Sequence, residues 1–114
     1  MADYVYIKNY SKNGEIGISR HVFEDLATEA VERIAGAKVS DKKSSLRRVF
    51  KLYNPIKVVF HDNGQVEILI DITLKKGVNA KQVCEAIQEE VAQSLLVYTE
   101  SVPFDIHLKV KSIE

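Results

Sequence analysis

The chain has 114 residues, and its 16 basic and 16 acidic side chains give a formal net charge of zero at pH 7. A chain of this length forms one domain and buries about two-thirds of the surface that its unfolded form exposes. Its hydrophobic fraction of 46% and charged fraction of 28% exclude the disordered and fibrous classes of protein. Because the charges cancel, no overall electric field attracts the protein to nucleic acid or to anionic lipid.

Cysteine content and hydropathy restrict the cellular compartment. The single cysteine, Cys84, excludes an internal disulfide framework and a metal site made of cysteines alone. Charges such as Asp71 interrupt the apolar stretches well before the roughly 20 residues that a membrane span requires. The N-terminus lacks the basic and then apolar segments of a signal peptide. We therefore expect a cytoplasmic protein with no membrane span of its own, whose only route to a membrane is through a partner.

The first third of the chain predicts two short strands and a helix. Residues 4–10 alternate weakly between apolar and polar, and a turn at residues 12–14 leads to a second strand over residues 15–18. Ser19 is a favourable N-cap for a helix that extends to about residue 35. The apolar stripe of this helix, at helical spacing, comprises Val22, Phe23, Leu26, Ala27, Ala30, Val31 and Ile34.

A basic segment follows, at about residues 38–54. It contains one acidic residue, Asp41, and we expect it to form a loop with a short helix around Leu46 and Phe50. Its cationic residues are Lys38, Lys42, Lys43, Arg47, Arg48 and Lys51. No other part of the chain has such an unbalanced charge.

The second half of the chain has the clearest periodicity. Every even position from Val66 to Leu74 is apolar, which predicts a strand with one buried face. Residues 56–60 predict another strand, and residues 62–64 (Asp-Asn-Gly) predict a hairpin turn in which a positive φ is low in energy. We therefore expect these two strands to be antiparallel neighbours.

A second helix and a final strand complete the predicted order β-α-β-β-α-β. Asn79, with Gln82 three residues later, predicts the start of the helix, and residues 102–110 alternate as a strand. The apolar stripe of this helix comprises Val83, Cys84, Ile87, Val91 and Leu95. We predict an α+β two-layer sandwich with both helices on one face of a mainly antiparallel sheet of four to five strands. A ferredoxin-like or related strand order is the simplest expectation.

Residue patterns of catalysis and metal binding are missing from the sequence. His21, His61 and His107 do not have the spacing of metal ligands on one element. Cys84 lies on the apolar stripe of the second helix, where a thiol packs as a small hydrophobic group. No nucleophile elbow, phosphate-binding loop or dinucleotide motif is present. We therefore predict a protein that is not an enzyme and has no catalytic residue, cofactor or metal.

Two surfaces remain as candidates for interaction with other molecules. The exposed face of the predicted sheet carries mixed charges, represented by Asp71, Asp105, His107 and Lys109. The basic segment offers cations for phosphate groups, with Phe50 and Tyr53 close enough to stack on a base, and its main candidates are Lys42, Lys43, Arg47 and Arg48. Protein–protein contact and nucleic-acid binding through residues 38–51 thus both stay open. The zero net charge and the missing RNA-recognition motif argue against nucleic acid.

Several short motifs along the chain resemble those of a known family. Residues 14–18 (Gly-Glu-Ile-Gly-Ile) lead into a helix rich in alanine and valine, residues 77–80 (Gly-Val-Asn-Ala) precede a helix that contains Ile-Gln at 87–88, and residues 104–110 form a closing strand around His107. In these motifs the chain resembles the alkaline shock protein family, the small envelope stress response proteins of Gram-positive bacteria. The basic segment departs from the family pattern, which usually has a glycine-rich stretch there.

The resemblance implies both an organisation and a function. It implies a single domain over residues 1–114, with the basic segment as an insertion, and no catalytic residue. It further implies a cytoplasmic protein that acts through protein–protein contacts in envelope stress response or homeostasis. Family members are recruited to the membrane by an integral membrane partner or self-assemble, so the resemblance implies a protein partner, which can be membrane-anchored, or a homo-oligomer.

Overall fold

The computed structural model describes residues 4–8, 14–40, 54–99 and 104–114. These residues form two helices and six strands. In chain order they are β1 (Tyr4–Lys8), β2 (Glu15–Ser19), α1 (Arg20–Glu32), β3 (Ala37–Val39), β4 (Ile56–Phe60), β5 (Val66–Leu74), α2 (Ala80–Thr99) and β6 (Phe104–Ile113). The predicted bounds of β4 and β5 are confirmed.

Strand β5 is the centre of the main sheet. Its first half pairs with β4 and its last three residues pair with β3, both in antiparallel orientation. On the other side β6 runs parallel to β5 along its whole length. Because β6 takes up one edge of β5, β3 and β4 follow each other along the opposite edge.

Both helices pack against one face of this sheet. The even-numbered residues of β5 point to that face, and Val66, Ile68, Ile70 and Ile72 are completely buried there. The helices contribute buried side chains at helical spacing, namely Phe23, Ala27, Ala30, Val31, Ile87, Val91 and Leu95. Phe23 of α1 also meets Phe60 of β4 edge to face, with ring centroids 5.6 Å apart. The predicted α+β fold, with two helices on one face of a mainly antiparallel sheet, is therefore confirmed.

The strand order differs from a ferredoxin-like sheet. In that arrangement β2 would lie inside the main sheet, but here it pairs with β1 as a separate two-stranded sheet. The closeness of β1 and β2 in sequence explains the difference, because elements that are neighbours in sequence are usually neighbours in space. The parallel pairing of β5 with β6 follows from α2, which supplies the long crossover that parallel neighbours need.

Strand β3 is an element that the sequence analysis missed. The basic segment was predicted to begin at about residue 38, but residues 37–39 pair with Ile72–Leu74 and extend the sheet. Gly36 makes this possible, because its φ of +89° lies in a region that suits glycine and turns the chain from α1 into β3. A Cβ atom at Gly36 would approach a methyl group of Val78 to 2.8 Å, so the turn also requires a residue without a side chain.

Both predicted helix starts are confirmed in position, but only one has the expected capping hydrogen bond. Asn79 caps α2, since its Oδ1 accepts a hydrogen bond from the backbone N–H of Gln82 at 3.1 Å. Ser19 occupies the N-cap position of α1, but its side chain makes no capping hydrogen bond. Ser19 is also the last residue of β2, paired with Tyr4, so strand pairing determines its conformation. Helix α1 ends at Glu32, about one turn before the predicted end.

Candidate functional site

The candidate site is the face of the main sheet that lies opposite the helices. Odd-numbered residues of β5 point to it, together with the residues that pair beside them on β4 and β6. His61 and Gln65 continue the face past the strand ends, since the His61 N–H donates to the Gln65 carbonyl at 2.9 Å. We call this surface the open face, and its side chains are Lys57, Val59, His61, Gln65, Glu67, Leu69, Asp71, Asp105, His107 and Lys109.

Strand register places the charges of the open face in fixed pairs. Asp71 lies directly beside Lys109, and opposite charges at such positions stabilise a sheet. Glu67 lies directly beside Asp105, and like charges at such positions are destabilising. One end of the open face is therefore acidic, and its carboxylates need cations or hydrogen-bond donors nearby.

Two histidines and a glutamine supply the donors at the acidic end. Nε2 of His61 lies 2.8 Å from Oε1 of Glu67, and Nε2 of His107 lies 3.3 Å from Oε2 of the same carboxylate. Asp105 accepts a hydrogen bond from Nε2 of Gln65 at 2.5 Å. We call these five residues the histidine–carboxylate cluster. The arrangement lets Glu67 and Asp105 remain adjacent, because each carboxylate has its own hydrogen-bond donors.

The other end of the open face is closed by a row of hydroxyl groups. Thr73 of β5 is 4% exposed, although its odd number places it on the open side. Its Oγ1 lies 3.2 Å from Oγ of Ser40 and 2.9 Å from Oγ of Ser112. These contacts satisfy the buried hydroxyl. Lys38, which pairs beside Thr73, continues the same side of the sheet and forms an ion pair with Glu114 at 3.3 Å.

A bulge changes the predicted alternation at the end of β6. The register shifts between Ile72 and Thr73, so that Val110 pairs with Ile72 and Ser112 pairs with Thr73. Lys111 is therefore the extra residue of the bulge. The strict alternation predicted for this strand therefore ends at Val110, because the bulge adds one residue to β6.

The structure brings half of the predicted interaction residues together. Asp71, Asp105, His107 and Lys109 all lie on the open face, as the alternation indicated. The four residues chosen from the basic segment lie outside the described residues, namely Lys42, Lys43, Arg47 and Arg48. Nucleic-acid binding through residues 38–51 therefore stays a prediction.

Sequence reasoning did not select His61, Gln65 and Glu67 for the site. Glu67 was assigned to the wet face by its odd position, but its two imidazole partners are 6 and 40 residues away in sequence. The hairpin turn could have indicated His61. Extending the antiparallel pairing of β4 with β5 toward the turn places His61 opposite Gln65, which is two residues before Glu67. The parallel register that brings His107 to Glu67 had no such local signal.

The thiol of Cys84 lies on the helix side of the sheet, opposite the open face. Cys84 is half-buried on α2, and desolvation by burial raises the pKa of its thiol, which keeps it protonated and unreactive. Within residues 4–8, 14–40, 54–99 and 104–114, no group of three or more His, Cys, Asp or Glu side chains is arranged to hold a metal ion. The same residues contain no helix that is long and apolar enough to cross a membrane.

Comparison with known proteins places this chain in a family. Searches of curated proteins and of solved structures found no match. In a comparison with protein-family models, residues 8–114 match the alkaline shock protein 23 family, whose description is a cell envelope-related function. Because this match spans nearly the whole chain and agrees with the motifs of the sequence, the protein belongs to the alkaline shock protein 23 family and has a cell envelope-related role.

Proposed function

We propose that this protein serves the cell envelope, under stress and in homeostasis, as a non-catalytic protein that acts through protein–protein contacts, with the open face as its contact surface. The family supplies the envelope-related role. The single observation that supports the contact surface is the pairing of fixed charges across β5 and β6, above all Asp71 beside Lys109 and Glu67 beside Asp105.

Charged side chains that the strand pairing holds at fixed positions favour binding of a protein partner. Three paired strands hold these side chains at set spacings, so a partner with a matching pattern gains specificity and alignment. Leu69 lies half-buried at the middle of the face, between Lys57 and His107, and Val59 lies half-buried beside Glu67, so both offer apolar area among the charges. An apolar centre with a charged rim is the usual composition of a specific protein interface.

The partner and its location follow from the family resemblance rather than from this surface. We propose a cytoplasmic protein that meets a membrane-anchored protein or a second copy of itself. Such a partner would give the chain an envelope-related role without a membrane span of its own.

Exchange of charges on the open face tests this proposal. The variant carries Asp71→Lys and Lys109→Glu, which keeps the net charge and reverses one cross-strand pair. The control carries Lys81→Glu and Glu85→Lys, which reverses an exposed pair on α2 whose charged atoms are 4.0 Å apart. Both variants are expected to fold, because surface ion pairs contribute about 0.2 to 1 kcal/mol to stability.

Crosslinking with mass spectrometry in the native cells reads out the result. We expect the open-face variant to lose partner crosslinks that the wild type and the α2 control both retain. Circular dichroism and urea unfolding establish that both variants are folded. If the folded open-face variant keeps every crosslink of the wild type, the open face is not the contact surface.

A further inference from the structure

We infer that His61 and His107 regulate the open face by their protonation, so that the face binds a basic segment of a partner when both imidazoles are neutral and releases it when both are charged. This inference rests on the proposed function of the open face as a contact surface. It specifies a basic segment as the part of the partner that binds, and protonation of the two histidines as the control of that binding.

The charge of the open face depends on these two histidines. With neutral imidazoles the face carries three carboxylates, on Glu67, Asp71 and Asp105, and two ammonium groups, on Lys57 and Lys109. The face then has one excess negative charge. Protonation of both imidazoles changes this to one excess positive charge.

The negative charge is concentrated where the histidines lie. Asp71 has Lys109 beside it, whereas Glu67 has Asp105 beside it. Both histidines contact the same carboxylate, one at each oxygen of Glu67. Protonation therefore adds two positive charges at the acidic end and changes the local charge there from negative to neutral.

Neighbouring carboxylates suit a basic side chain, because each carboxylate oxygen has two lone pairs and the histidine and glutamine donors use only part of this capacity on Glu67 and Asp105. A guanidinium group donates charge-assisted hydrogen bonds to two carboxylate oxygens at once, and it would remove the repulsion between Glu67 and Asp105. Once His61 and His107 are charged, each oxygen of Glu67 has a cationic donor. An arriving cation then meets two positive charges in place of two neutral donors.

Solvent can protonate both imidazoles directly. The side chains of His61 and His107 are 44% and 54% exposed, and histidine is the side chain that ordinarily changes charge between pH 5 and 8. The other titratable groups of the open face are carboxylates and lysines, and Asp62 flanks His61 in the hairpin turn. These residue types ordinarily keep their charge across that range, so the two histidines determine the change.

Binding of a pentaarginine peptide tests the inference. NMR shifts of the backbone amides of residues 66–70 and 104–108 would follow the titration at about pH 8 and about pH 5.5 in the same salt. We expect roughly tenfold tighter binding at the higher pH, because two surface charge contacts are altered. The variant with His61→Gln and His107→Gln is expected to bind at both pH values with equal affinity.

The third histidine provides the matched control. His21 lies on α1, has an 87% exposed side chain and pairs with Glu24, so His21→Gln should keep the full pH dependence. The inference is overturned if the double variant keeps the pH dependence, or if the wild type binds the peptide equally at both pH values. It is also overturned if the peptide fails to shift open-face amides at either pH.

These failures differ from a failure of the proposed function. A peptide that binds the open face without pH dependence leaves the contact surface intact and removes the regulation. Unchanged crosslinks in the charge-exchanged Asp71 and Lys109 variant remove the contact surface itself, whatever the peptide shows.

Discussion

Strand β5 presents two faces with opposite roles, although they alternate residue by residue along one backbone. Ile68 and Ile70 point toward the helices and are completely buried, whereas Glu67, Leu69 and Asp71 point away and remain half-buried. The covered face supplies the apolar burial that stabilises the domain. The open face contributes little to that burial, so its residues can vary in charge without loss of the fold.

The largest expected effect comes from truncation on the covered face. Ile70→Ala should lower the free energy of unfolding by about 3 to 4 kcal/mol, because it removes buried methyl groups and leaves a cavity under the helices. Leu69→Ala, one residue away on the open face, should cost about 1 kcal/mol, because the half-buried side chain loses less contact. Urea unfolding at equal protein concentration measures both values.

An equal cost for the two truncations would contradict the comparison. It would mean that the open face is as dry in solution as the covered face. If the destabilisation caused by Leu69→Ala also depended on protein concentration, a second copy of the chain would be covering the open face.

A smaller effect is expected at Thr73, where the open side of β5 becomes buried. Thr73→Val keeps the shape but removes the hydroxyl that lies between Ser40 and Ser112. We expect a loss of about 1 to 2 kcal/mol in the free energy of unfolding, because the buried Ser40 hydroxyl loses a partner. Ser112→Ala is the control, since Ser112 is exposed and its removal should cost less. A Thr73→Val variant as stable as the wild type would show that these hydroxyls do not stabilise this end of the sheet.

The smallest effect on stability is expected at the acidic end of the open face. Glu67→Gln keeps the size of the side chain and removes its charge, and exposed ion pairs contribute little. The free energy of unfolding should change by less than about 0.5 kcal/mol. Thermal unfolding at neutral pH would check this, and a loss as large as that of Ile70→Ala would assign Glu67 a structural role instead of a contact role.

Local patterns in the sequence determined much of the fold. The alternation over residues 66–74 predicted the bounds of β5 and the faces of its residues, because the side-chain period of a strand is a local property. Asn79 predicted the start of α2 for the same reason, since a cap is formed by residues three positions apart. Four residues of the candidate site were predictable on this basis, as Asp71, Asp105, His107 and Lys109 share one face by alternation.

The tertiary structure alone decided how distant segments meet. It paired β6 parallel to β5 with a bulge at Lys111, brought β3 to the end of β5, and buried Thr73 under two serine hydroxyls. It also placed His61 and His107 on the two oxygens of Glu67. The physical reason is that register between strands depends on backbone hydrogen bonds between distant residues, and the periodicity within each strand carries no information about which residues of another strand it will meet.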